Sequence, residues 1–431
     1  MTPEGPKFVI QGLGGKRLLR GKLAVNGSKN DALQALSAVP LFSGVYKLKN
    51  VPEIEDIKKL TEILISLGVK LVSHKPHEFI FDCQNFVNSK IDPEISKRLR
   101  GSVILTGPLL ARTGMAYFPH PGGCVIGERP IDIFLDGFKT LGAKIILEEK
   151  LYRVEAPKGG LKGAEIFFRY QSVTATETFM MAATLARGIT ILKNCAIEPE
   201  IASLGNFLIK SGAKIEGLGT LTLKIRGGKL LKAPSTGYKI LPDRIEAGSF
   251  LILGALTAKK LTVTNCVPAH LESLINWLRV AGVKIIVKKN SVIVSETRLA
   301  PEFMPLKIRT HEYPGFPTDL QALISVFLTQ ATGESKIFET IFDDRLHHLH
   351  ILKEMGANVM VHDAHRATIV GPTPLTGRHV YSPDLRAGLA YVIAATIAEG
   401  ESVVHNVHYI DRGYERLDER LRAVGLEIKK E

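Results

Sequence analysis

The feature that most constrains the fold of this chain is a sequence unit that recurs six times in 431 residues. In each copy an amphipathic helical pattern ends at a glycine and runs directly into a short strand pattern. The glycines are Gly68, Gly142, Gly212, Gly282, Gly356 and Gly425. A glycine at this point is typical of a helix that ends in a left-handed residue. A more apolar helix and a second strand, as in residues 182–194, lie between copies, so the repeats predict an α/β fold of six related units.

The repeat number also predicts the domain organisation. Three repeats on each side of a chain crossing would give two similar domains. Turn-forming residues near 23–28 and 241–243 mark the two crossings. We therefore predict a first three-repeat domain over residues 29–241 and a second domain formed by residues 1–28 and 242–431. The active site is expected in the cleft between them.

Composition and charge limit the class of protein. Hydrophobic residues make up 45% of the chain and charged residues 23%, values typical of a soluble globular protein. The 56 lysines and arginines exceed the 43 aspartates and glutamates, which gives a net charge of +13 that suits anionic ligands. The basic residues are spread along the chain, and this favours a small anionic substrate over nucleic acid.

The sequence also lacks targeting, membrane-spanning and paired-cysteine patterns. The sequence shows no signal-peptide pattern and no run of about 18 apolar residues, so we expect a cytoplasmic protein without a membrane partner. Its four cysteines form no CxxC pair, which argues against a zinc site and a disulfide framework. We expect three of them to be structural: Cys83 in a predicted edge strand, and Cys195 and Cys266 after asparagines at matching repeat positions.

Polar residues precede the apolar helices of five repeats and predict their N-caps. They lie in the segments SKND at 28–31, TATE at 174–177, DRIE at 243–246, TDLQ at 318–321 and SPDL at 382–385, several of which fit a capping box with Ser, Thr or Asp at the cap. The remaining repeat has the sequence KRLR at 97–100. Backbone N–H groups and the positive end of the helix dipole make such N-termini suitable for phosphate or carboxylate. Four basic residues lie within or beside these segments: Lys29, Arg100, Arg244 and Arg386. Together they indicate an anion-binding site, while each polar residue alone is explained as a helix cap.

Residues 120–130 differ from the rest of the chain because three glycines and two prolines surround Cys124. Such a composition predicts a tight or mobile loop in which a thiol is exposed. Arg129 follows five residues later, and a nearby cation favours the thiolate form of a cysteine. Loop chemistry alone leaves open whether Cys124 is a functional residue or an ordinary exposed thiol.

Six motifs in a fixed order carry a family resemblance. They are GSKN at 27–30, PGGCVIGERPID at 121–132, LPDRIE at 241–246, FPTDLQ at 316–321, DLR at 384–386 and IDRGYER at 410–416. With them the chain, from residue 8 to residue 429, resembles the UDP-N-acetylglucosamine 1-carboxyvinyltransferase family of enolpyruvyl transferases. The resemblance implies a fold of two inside-out α/β barrel domains, each built from three repeated βαβ-type units.

The resemblance also implies an activity. In this family the enolpyruvyl group of phosphoenolpyruvate is added to a hydroxyl of UDP-N-acetylglucosamine, and phosphate leaves. Cys124 matches the family's proton donor and adduct-forming thiol, and Asp319 matches the carboxylate that accepts the hydroxyl proton. Lys29 and Arg412 complete the implied catalytic set. No cofactor and no metal are implied, and the partners are the two small substrates.

The same resemblance assigns the substrate contacts. Phosphoenolpyruvate would be held by Lys29, Asn30, Arg129, Arg345, Arg386 and Arg412. Arginine suits this task because its planar fork binds oxyanions with two hydrogen bonds. The UDP-sugar would contact Asn30, Arg100, Arg129, Pro130, Ile131, Asp132, Ile133, Tyr170, Gln171, Ser172, Val173, Thr174, Asp319 and the backbone near Ile341.

Departures from the family pattern keep alternatives open. Glu128, Phe134 and Thr174 differ from the expected residue types, and Thr174 replaces a glycine where the backbone meets the nucleotide. An enolpyruvyl transferase acting on another nucleotide or on shikimate 3-phosphate is the main alternative. RNA 3′-phosphate cyclases share a related repeat architecture but need a nucleotide-accepting histidine in a different setting. His347 and His350 on one helix face suggest a metal site, which the family does not use.

Overall fold

The structure is a computed structural model that describes residues 5–84, 86, 103–119, 131–148, 151–295 and 303–431. Its helices are α1 (Lys29–Ser37), α2 (Glu55–Ser66), α3 (Val103–Thr113), α4 (Asp132–Thr140), α5 (Val173–Ala183), α6 (Pro199–Lys210), α7 (Arg244–Thr257), α8 (Glu272–Val280), α9 (Gln321–Leu328), α10 (His348–Glu354), α11 (Leu385–Ile397) and α12 (Leu417–Arg422). Its strands are β1 (Phe8–Gln11), β2 (Leu19–Ala24), β3 (Val45–Lys49), β4 (Lys70–Lys75), β5 (Glu78–Asp82), β6 (Met115–Pro119), β7 (Lys144–Glu148), β8 (Leu151–Glu155), β9 (Glu165–Phe167), β10 (Ile189–Lys193), β11 (Lys214–Glu216), β12 (Thr222–Arg226), β13 (Tyr238–Lys239), β14 (Ala258–Thr264), β15 (Ile285–Lys288), β16 (Ser291–Ser295), β17 (Lys307–Arg309), β18 (Gly333–Phe338), β19 (Asn358–Val361), β20 (Arg366–Gly371), β21 (His379–Tyr381), β22 (Glu401–His405) and β23 (Ile428–Lys430). None of these described helices is long and apolar enough to cross a membrane.

These elements form two compact units, each with its own hydrophobic core. The terminal unit contains the described residues up to Asn26 and from Pro242 onwards. The central unit contains the described residues between Gly27 and Leu241. The N-terminal strand β1 lies between β22 and β23 near the C-terminus, so the two ends of the chain share one sheet of the terminal unit.

Three four-stranded sheets surround three buried helices in the terminal unit. The sheet orders are β21-β22-β1-β23, β15-β16-β14-β2 and β17-β18-β20-β19. Each sheet contains one parallel pair, namely β21 with β22, β2 with β14 and β17 with β18. Helices α7, α9 and α11 are buried along almost their whole length, as expected of helices that are apolar on every face. Helices inside and sheets outside make this unit an inside-out α/β barrel.

The central unit follows the same plan in the residues described. Its sheets have the orders β13-β3-β5-β4, β11-β12-β10-β9 and β6-β8-β7. The two four-stranded sheets again contain one parallel pair each, β13 with β3 and β9 with β10. Helices α1, α3 and α5 form the buried interior. The fold class predicted from the repeats and the family resemblance is therefore confirmed for both units.

The six repeat glycines end their helices in one common way. All have positive φ, from 86° to 111°. The residue after each glycine donates its N–H to a carbonyl five residues earlier at 2.9–3.2 Å, as Val69 does to Leu64 and Ala213 does to Leu208. This is the Schellman arrangement, which satisfies carbonyls left over at a helix end and favours glycine. The predicted glycine caps are confirmed.

Replacing Gly212 with alanine is expected to lower the free energy of unfolding by about 1–2 kcal/mol, the cost of a left-handed residue that carries a Cβ. A Cβ at Gly212 would meet no atom within 4 Å, so the cost comes from its φ of 108° and not from a clash. Gly228 is the matched control, because a Cβ there also meets no atom and its φ lies outside the left-handed region. Urea denaturation should show less than about 0.5 kcal/mol for Gly228→Ala. Equal losses in the two variants would contradict the backbone explanation.

Four asparagines turn the chain at the ends of strands. Their φ values are 53–59°, and the residues are Asn50, Asn194, Asn265 and Asn406. Each side-chain amide donates to a carbonyl on the parallel neighbour or its flank, the acceptors being Ile240, Phe168, Val25 and Ser382 in the same order. Asparagine tolerates the left-handed conformation and bonds locally to the backbone. The sharp turn at Asn406 leads into the segment that carries Arg412.

The three described cysteines are buried and unpaired with one another. Burial raises the pKa of Cys83 and of Cys195 to about 12 and also raises the pKa of Cys266. These thiols are therefore neutral and enclosed, as expected for structural cysteines. The predicted edge-strand position of Cys83 is wrong, because this residue directly follows β5, an inner strand of its sheet.

Candidate active site

A carboxylate held between two arginines forms a charged cluster in the terminal unit. Asp319 lies in the short 3₁₀ turn Thr318–Leu320, immediately before α9. Its Oδ1 accepts a hydrogen bond from Arg345 Nη2 at 2.8 Å, and its Oδ2 accepts one from Arg386 Nη2 at 2.8 Å. Arg345 precedes α10, and Arg386 lies in the first turn of α11. The structure thus brings together three residues that the sequence predicts for the site.

Arg345 is also held by a series of hydrogen bonds through Thr318 and Glu339. Its Nη1 donates to Thr318 Oγ1 at 2.7 Å, and Thr318 donates to Glu339 Oε2 at 2.9 Å. The other Glu339 oxygen accepts the backbone N–H groups of Ile341 at 2.9 Å and Phe342 at 3.2 Å. These bonds fix both the guanidinium of Arg345 and the backbone at Ile341, which was predicted to meet the nucleotide sugar.

Arg386 is supported by a buried tyrosine. Its Nη1 donates to the hydroxyl of Tyr414 at 3.0 Å, and that hydroxyl lies 3.1 Å from Ser249 Oγ. Arg412 lies two residues before Tyr414 and is half-buried. Sequence reasoning missed Tyr414 as a supporting residue, although it lies inside the motif at 410–416, and it also missed Glu339.

Neighbouring charges control the ionisation of Asp319. Burial alone would raise the pKa of this carboxyl, but the guanidinium groups of Arg386 and Arg345 outweigh burial and hold the pKa well below its usual range. Burial likewise disfavours the charged form of Arg386, and Asp319 more than compensates, so the pKa of Arg386 is raised. Asp319 is therefore ionised at neutral pH and can accept a proton. Its basicity stays low while both arginines bind it.

In the terminal unit, only some of the observed helix N-caps are the residues predicted from the sequence. Asp243 caps α7 as predicted, since its Oδ1 accepts from Ile245 N at 2.8 Å and Glu246 N at 3.0 Å. In the predicted capping segment at 382–385, Asp384 is the N-cap of α11, whereas Ser382 makes no cap bond and donates to the carbonyl of Asp384. Thr318 makes no cap bond either, because its hydroxyl is engaged by Arg345 and Glu339.

In the central unit, one predicted N-cap is confirmed and another is wrong. Ser28 caps α1 as predicted, and its Oγ accepts from Asp31 N at 3.3 Å. The predicted cap Thr174 is wrong, because Ser172 begins α5 and accepts from Ala175 N at 3.2 Å. Thr174 lies inside the first turn of α5 and is half-buried. Its side chain therefore lies at the N-terminus of α5, where the family resemblance leads us to expect glycine.

Lys29 is the first residue of α1 and is held by an acidic partner. Its Nζ lies 2.7 Å from Asp56 Oδ2, and the two side chains are 13% and 2% exposed. Asp56 belongs to the first turn of α2, so the pair joins two helices of the central unit. A nearly buried ammonium group in a defined place can bind an oxyanion without first being ordered. Asn30 follows Lys29 in the same turn and is half-buried.

The central unit also contains a group of buried carboxyl groups. Asp31 accepts from Tyr238 Oη at 2.5 Å, Leu241 N at 2.6 Å and Gln34 Nε2 at 2.6 Å, yet burial raises its pKa to about 7. Glu177 on α5 is 2% exposed. Burial, and secondarily the charges of Glu200, Glu198 and Asp31, raise the pKa of Glu177 well above its usual value. Glu177 is consequently neutral at the pH where exposed glutamates are charged.

Replacing Glu177 with glutamine is therefore expected to stabilise the protein at alkaline pH. An acid whose pKa is raised on folding loses stability as pH rises above its unfolded value of about 4.3. Glutamine copies the neutral form, so the melting temperature should match wild type near pH 4.5 and exceed it by several degrees at pH 8. Glu165→Gln, in an exposed pair with Lys193, is the control and should show no such pH trend. A melting-temperature difference that is constant from pH 4.5 to 8 would contradict a neutral Glu177.

Two separate segments predicted for the nucleotide sugar meet at the start of α4. Tyr170 Oη donates to Asp132 Oδ1 at 3.2 Å, and Arg169 lies 3.5 Å from Asp132 Oδ2 and 2.7 Å from Asp136. Burial and the charge of Asp132 raise the pKa of Tyr170 to about 12, so its hydroxyl keeps its proton. The half-buried residues 171–174 follow directly. Arg169 was not predicted from the sequence, although it adjoins the predicted segment.

Other predicted residues have structural roles in the described part of the chain. Ile133 is 7% exposed and packs into the core of the central unit, so only its backbone can meet a ligand. Phe134, a departure from the family pattern, is also buried, and its ring stacks near that of Phe179 at 6.3 Å. Ile131 is half-buried at the start of α4.

Four predicted site residues lie outside the described residues: Arg100, Cys124, Arg129 and Pro130. The same holds for Glu128 and for the KRLR segment at 97–100. The assignments of Cys124 as proton donor and of Arg129 as a phosphoenolpyruvate contact therefore remain predictions from the sequence.

Comparison with known proteins gives matches along nearly the whole chain. The sequence profile of the EPSP synthase family (3-phosphoshikimate 1-carboxyvinyltransferase) matches residues 14–421. The chain is 44% identical over 428 residues to UDP-N-acetylglucosamine 1-carboxyvinyltransferase of Koribacter versatilis, covering 98% of this chain and 96% of that protein. It is 40% identical over 410 residues to the Helicobacter pylori protein of the same name, covering 95% and 96% of the two chains.

Solved structures with the same fold are similar over their full length. The enolpyruvyl transferase NikO from Streptomyces tendae has a TM-score of 0.88 at 23% identity, covering 99% of both chains. EPSP synthase from Acinetobacter baumannii has a TM-score of 0.73 at 16% identity, covering 99% of this chain and 100% of that one. At these identities the structural matches establish the fold alone.

Proposed function

This chain belongs to the UDP-N-acetylglucosamine 1-carboxyvinyltransferase family, within the larger EPSP synthase family, and we propose that it transfers the enolpyruvyl group of phosphoenolpyruvate to the 3′-hydroxyl of UDP-N-acetylglucosamine. Asp319 between Arg345 and Arg386 is the observation that carries the proposal, because it combines a proton acceptor with two cations for an anionic donor. The reaction would run in the cytoplasm as the first committed step of peptidoglycan synthesis.

The donor carries a phosphate and a carboxylate, so its site needs several fixed cations. We assign this role to Arg345, Arg386, Arg412, Lys29, Asn30 and Arg129. Arg345 is held by Thr318 and Arg386 by Tyr414. The guanidinium groups of these two arginines can exchange a hydrogen bond to Asp319 for one to an oxyanion with little loss of side-chain entropy. That exchange would also release Asp319 to act as a stronger base.

In the addition step, Asp319 and Cys124 would each carry out one proton transfer. The sugar hydroxyl adds to C2 of the enol and loses its proton to Asp319, while C3 gains a proton from Cys124. Loss of phosphate from C2 and of a proton from C3 restores the double bond in the product. Cys124 would also form the covalent adduct at C2 that the family resemblance implies. Lys29 and Arg412 would stabilise the charge of the departing phosphate.

The acceptor site would draw on the nucleotide-sugar residues. We assign Asn30, Arg100, residues 129–133, residues 170–174, Asp319 and the backbone near Ile341 to UDP-N-acetylglucosamine. The bond from Tyr170 to Asp132 holds two of these segments in one place. The N–H of Ile341 is already bonded to Glu339, so its carbonyl is the group offered to the ligand.

Phosphate release from phosphoenolpyruvate tests the reaction and its acceptor together. Release should require UDP-N-acetylglucosamine and should not occur with shikimate 3-phosphate. Other UDP-sugars should support it poorly. Turnover with a different acceptor but not with UDP-N-acetylglucosamine would overturn the assignment and would direct attention to Thr174.

Cys124→Ala is expected to abolish covalent inactivation by a thiol-directed epoxide such as fosfomycin. Only a reactive, accessible thiolate attacks such an epoxide at neutral pH. Mass spectrometry of the intact protein should show one adduct on the wild type and none on the variant. Cys266→Ala is the control, because the buried thiol of Cys266 has a raised pKa, and this variant should be modified at the wild-type rate. Modification of Cys124→Ala at that same rate would show that another residue reacts.

A further inference from the structure

His347 is held in a geometry that selects its charged form. This half-buried residue lies immediately before α10, two residues after Arg345. Its Nδ1 is 2.9 Å from the carbonyl oxygen of Asp344. Its buried Nε2 makes no hydrogen bond and lies 3.5 Å from Asp384 Oδ2, the distance of an ion pair. A carbonyl oxygen only accepts, so Nδ1 carries a hydrogen in either charge state. A neutral ring would then point the lone pair of Nε2 at a carboxylate, whereas the imidazolium presents an N–H.

Asp384 connects this histidine to the donor-binding cluster. Its side chain is 14% exposed. Oδ1 accepts the backbone N–H of Arg386 at 2.7 Å and of Ala387 at 3.0 Å, so Asp384 is the N-cap of α11. Oδ2 faces His347 on the other side. Burial opposes the ionisation of Asp384, but His347 and the two backbone amides outweigh it and lower the pKa of Asp384.

We propose that His347 is a positioning residue of the donor site: its imidazolium holds the Asp384 carboxylate, which caps α11 and sets the place from which Arg386 reaches Asp319. Arg386 Nη2 lies 2.8 Å from Asp319, so a shift at the start of α11 moves one of the two guanidinium groups of the cluster. His347 touches no reacting atom in this scheme. The role in turnover rests on the proposed function, whereas the His347–Asp384 pair itself does not.

The groups around His347 determine how the pair responds to pH. The carboxylate of Asp384, supported by the Asp344 carbonyl, raises the pKa of His347 above its usual value, against burial and the charge of Arg345. His348 beside it is neutral, because burial and then His347 lower its pKa to about 3. A histidine with a raised pKa loses its contact as pH rises through that pKa. The His347–Asp384 ion pair is therefore complete below the usual histidine pKa and is lost as pH rises through the raised pKa of His347.

Kinetics across pH 5.5–9.5 test the positioning role. In the wild type, kcat/KM for phosphoenolpyruvate should fall by about five- to tenfold as pH rises through the pKa of His347. A fall of this size is comparable to the effect of removing a helix cap. His347→Gln can still donate an N–H at every pH, so this fall should disappear while activity is retained. His347→Leu should be low at every pH through a raised KM, with kcat less affected. His350→Leu, at an exposed position of α10, should behave as wild type. An unchanged alkaline fall in His347→Leu would overturn the proposal.

An NMR titration tests the pair without any turnover. In the full chain labelled with ¹⁵N-histidine, the ring of His347, assigned by its loss in His347→Gln, should titrate above the usual histidine pKa of about 6.5. Asp384→Asn keeps a good N-cap residue but removes the charge, so the midpoint should fall. A midpoint that Asp384→Asn leaves unchanged would overturn the pairing. Absence of turnover with UDP-N-acetylglucosamine would instead overturn the proposed function and leave this titration intact.

Discussion

Replacing Asp319 with asparagine is expected to lower kcat by about 10²- to 10⁴-fold, the usual contribution of a positioned general base. Asparagine keeps the size of the side chain and one acceptor oxygen, so Arg345 or Arg386 can still bond to it. The ability to take the hydroxyl proton is lost. The KM for phosphoenolpyruvate should stay the same or fall, because an anionic donor would no longer compete with a carboxylate for the two arginines.

The pH dependence separates this role from a structural one. The guanidinium groups of Arg386 and Arg345 hold the pKa of Asp319 far below neutrality, so the wild-type enzyme should show no acidic limb from Asp319 between pH 5 and pH 9. Steady-state kinetics with phosphate detection measure kcat and the KM for phosphoenolpyruvate at each pH. Asp363→Asn, at an exposed turn, is the matched control and should leave kcat unchanged. A kcat within threefold of wild type for Asp319→Asn would exclude Asp319 as the base.

Replacing Arg420 with methionine is expected to lower the free energy of unfolding by about 3–5 kcal/mol, the usual cost of leaving one member of a buried ion pair alone. Arg420 bonds to both oxygens of Glu246, at 2.6 and 3.1 Å, and to the carbonyl of Ala24 at 2.5 Å. Glu246 is 3% exposed and also accepts from Asn26 N at 2.7 Å. Without Arg420, the Glu246 carboxylate keeps its burial and loses its counter-ion.

The size of the loss should depend on pH. Burial already raises the pKa of Glu246 despite Arg420, and removing the cation raises it further. An acid with a raised folded pKa loses stability as pH rises, so Arg420→Met should be more destabilising at pH 8 than at pH 5. Adding Glu246→Gln should restore part of the loss by removing the buried charge. Lys430→Met, which breaks a more exposed pair with Asp411, should cost less than about 1 kcal/mol. Equal losses for Arg420→Met and Lys430→Met in urea denaturation would contradict the argument.

Local patterns predicted the repeats because local bonds form them. The six glycine caps depend on hydrogen bonds that span five residues, and the sequence within that span is sufficient to identify them. Caps with competing acceptors could not be predicted in this way. Ser382 and Asp384 lie two residues apart, and Ser172 and Thr174 do likewise. The path of the preceding chain decides which oxygen faces the first helical N–H groups.

Glu246 illustrates the limit of a local motif. The spacing from Asp243 to Glu246 fits a capping box, and Asp243 does cap α7. The Glu246 side chain instead pairs with Arg420, 174 residues away in sequence. A charged partner of that kind lowers the cost of burial more than a bond to one backbone amide can. No periodicity in the sequence reveals such a partner.

The sequence by itself determined the six-repeat α/β barrels and the glycine helix ends, and through its motifs it predicts a set of site residues from Lys29 to Arg412. Tertiary structure alone decided what those residues do to one another. Asp319 meets Arg345 and Arg386 from 26 and 67 residues away, and His347, which by spacing resembled a metal ligand, lies instead beside Asp384. The physical reason is range: backbone caps and helix patterns are set by neighbours within a few residues. The charge state of a buried group depends on whichever distant side chains packing brings within a few ångströms.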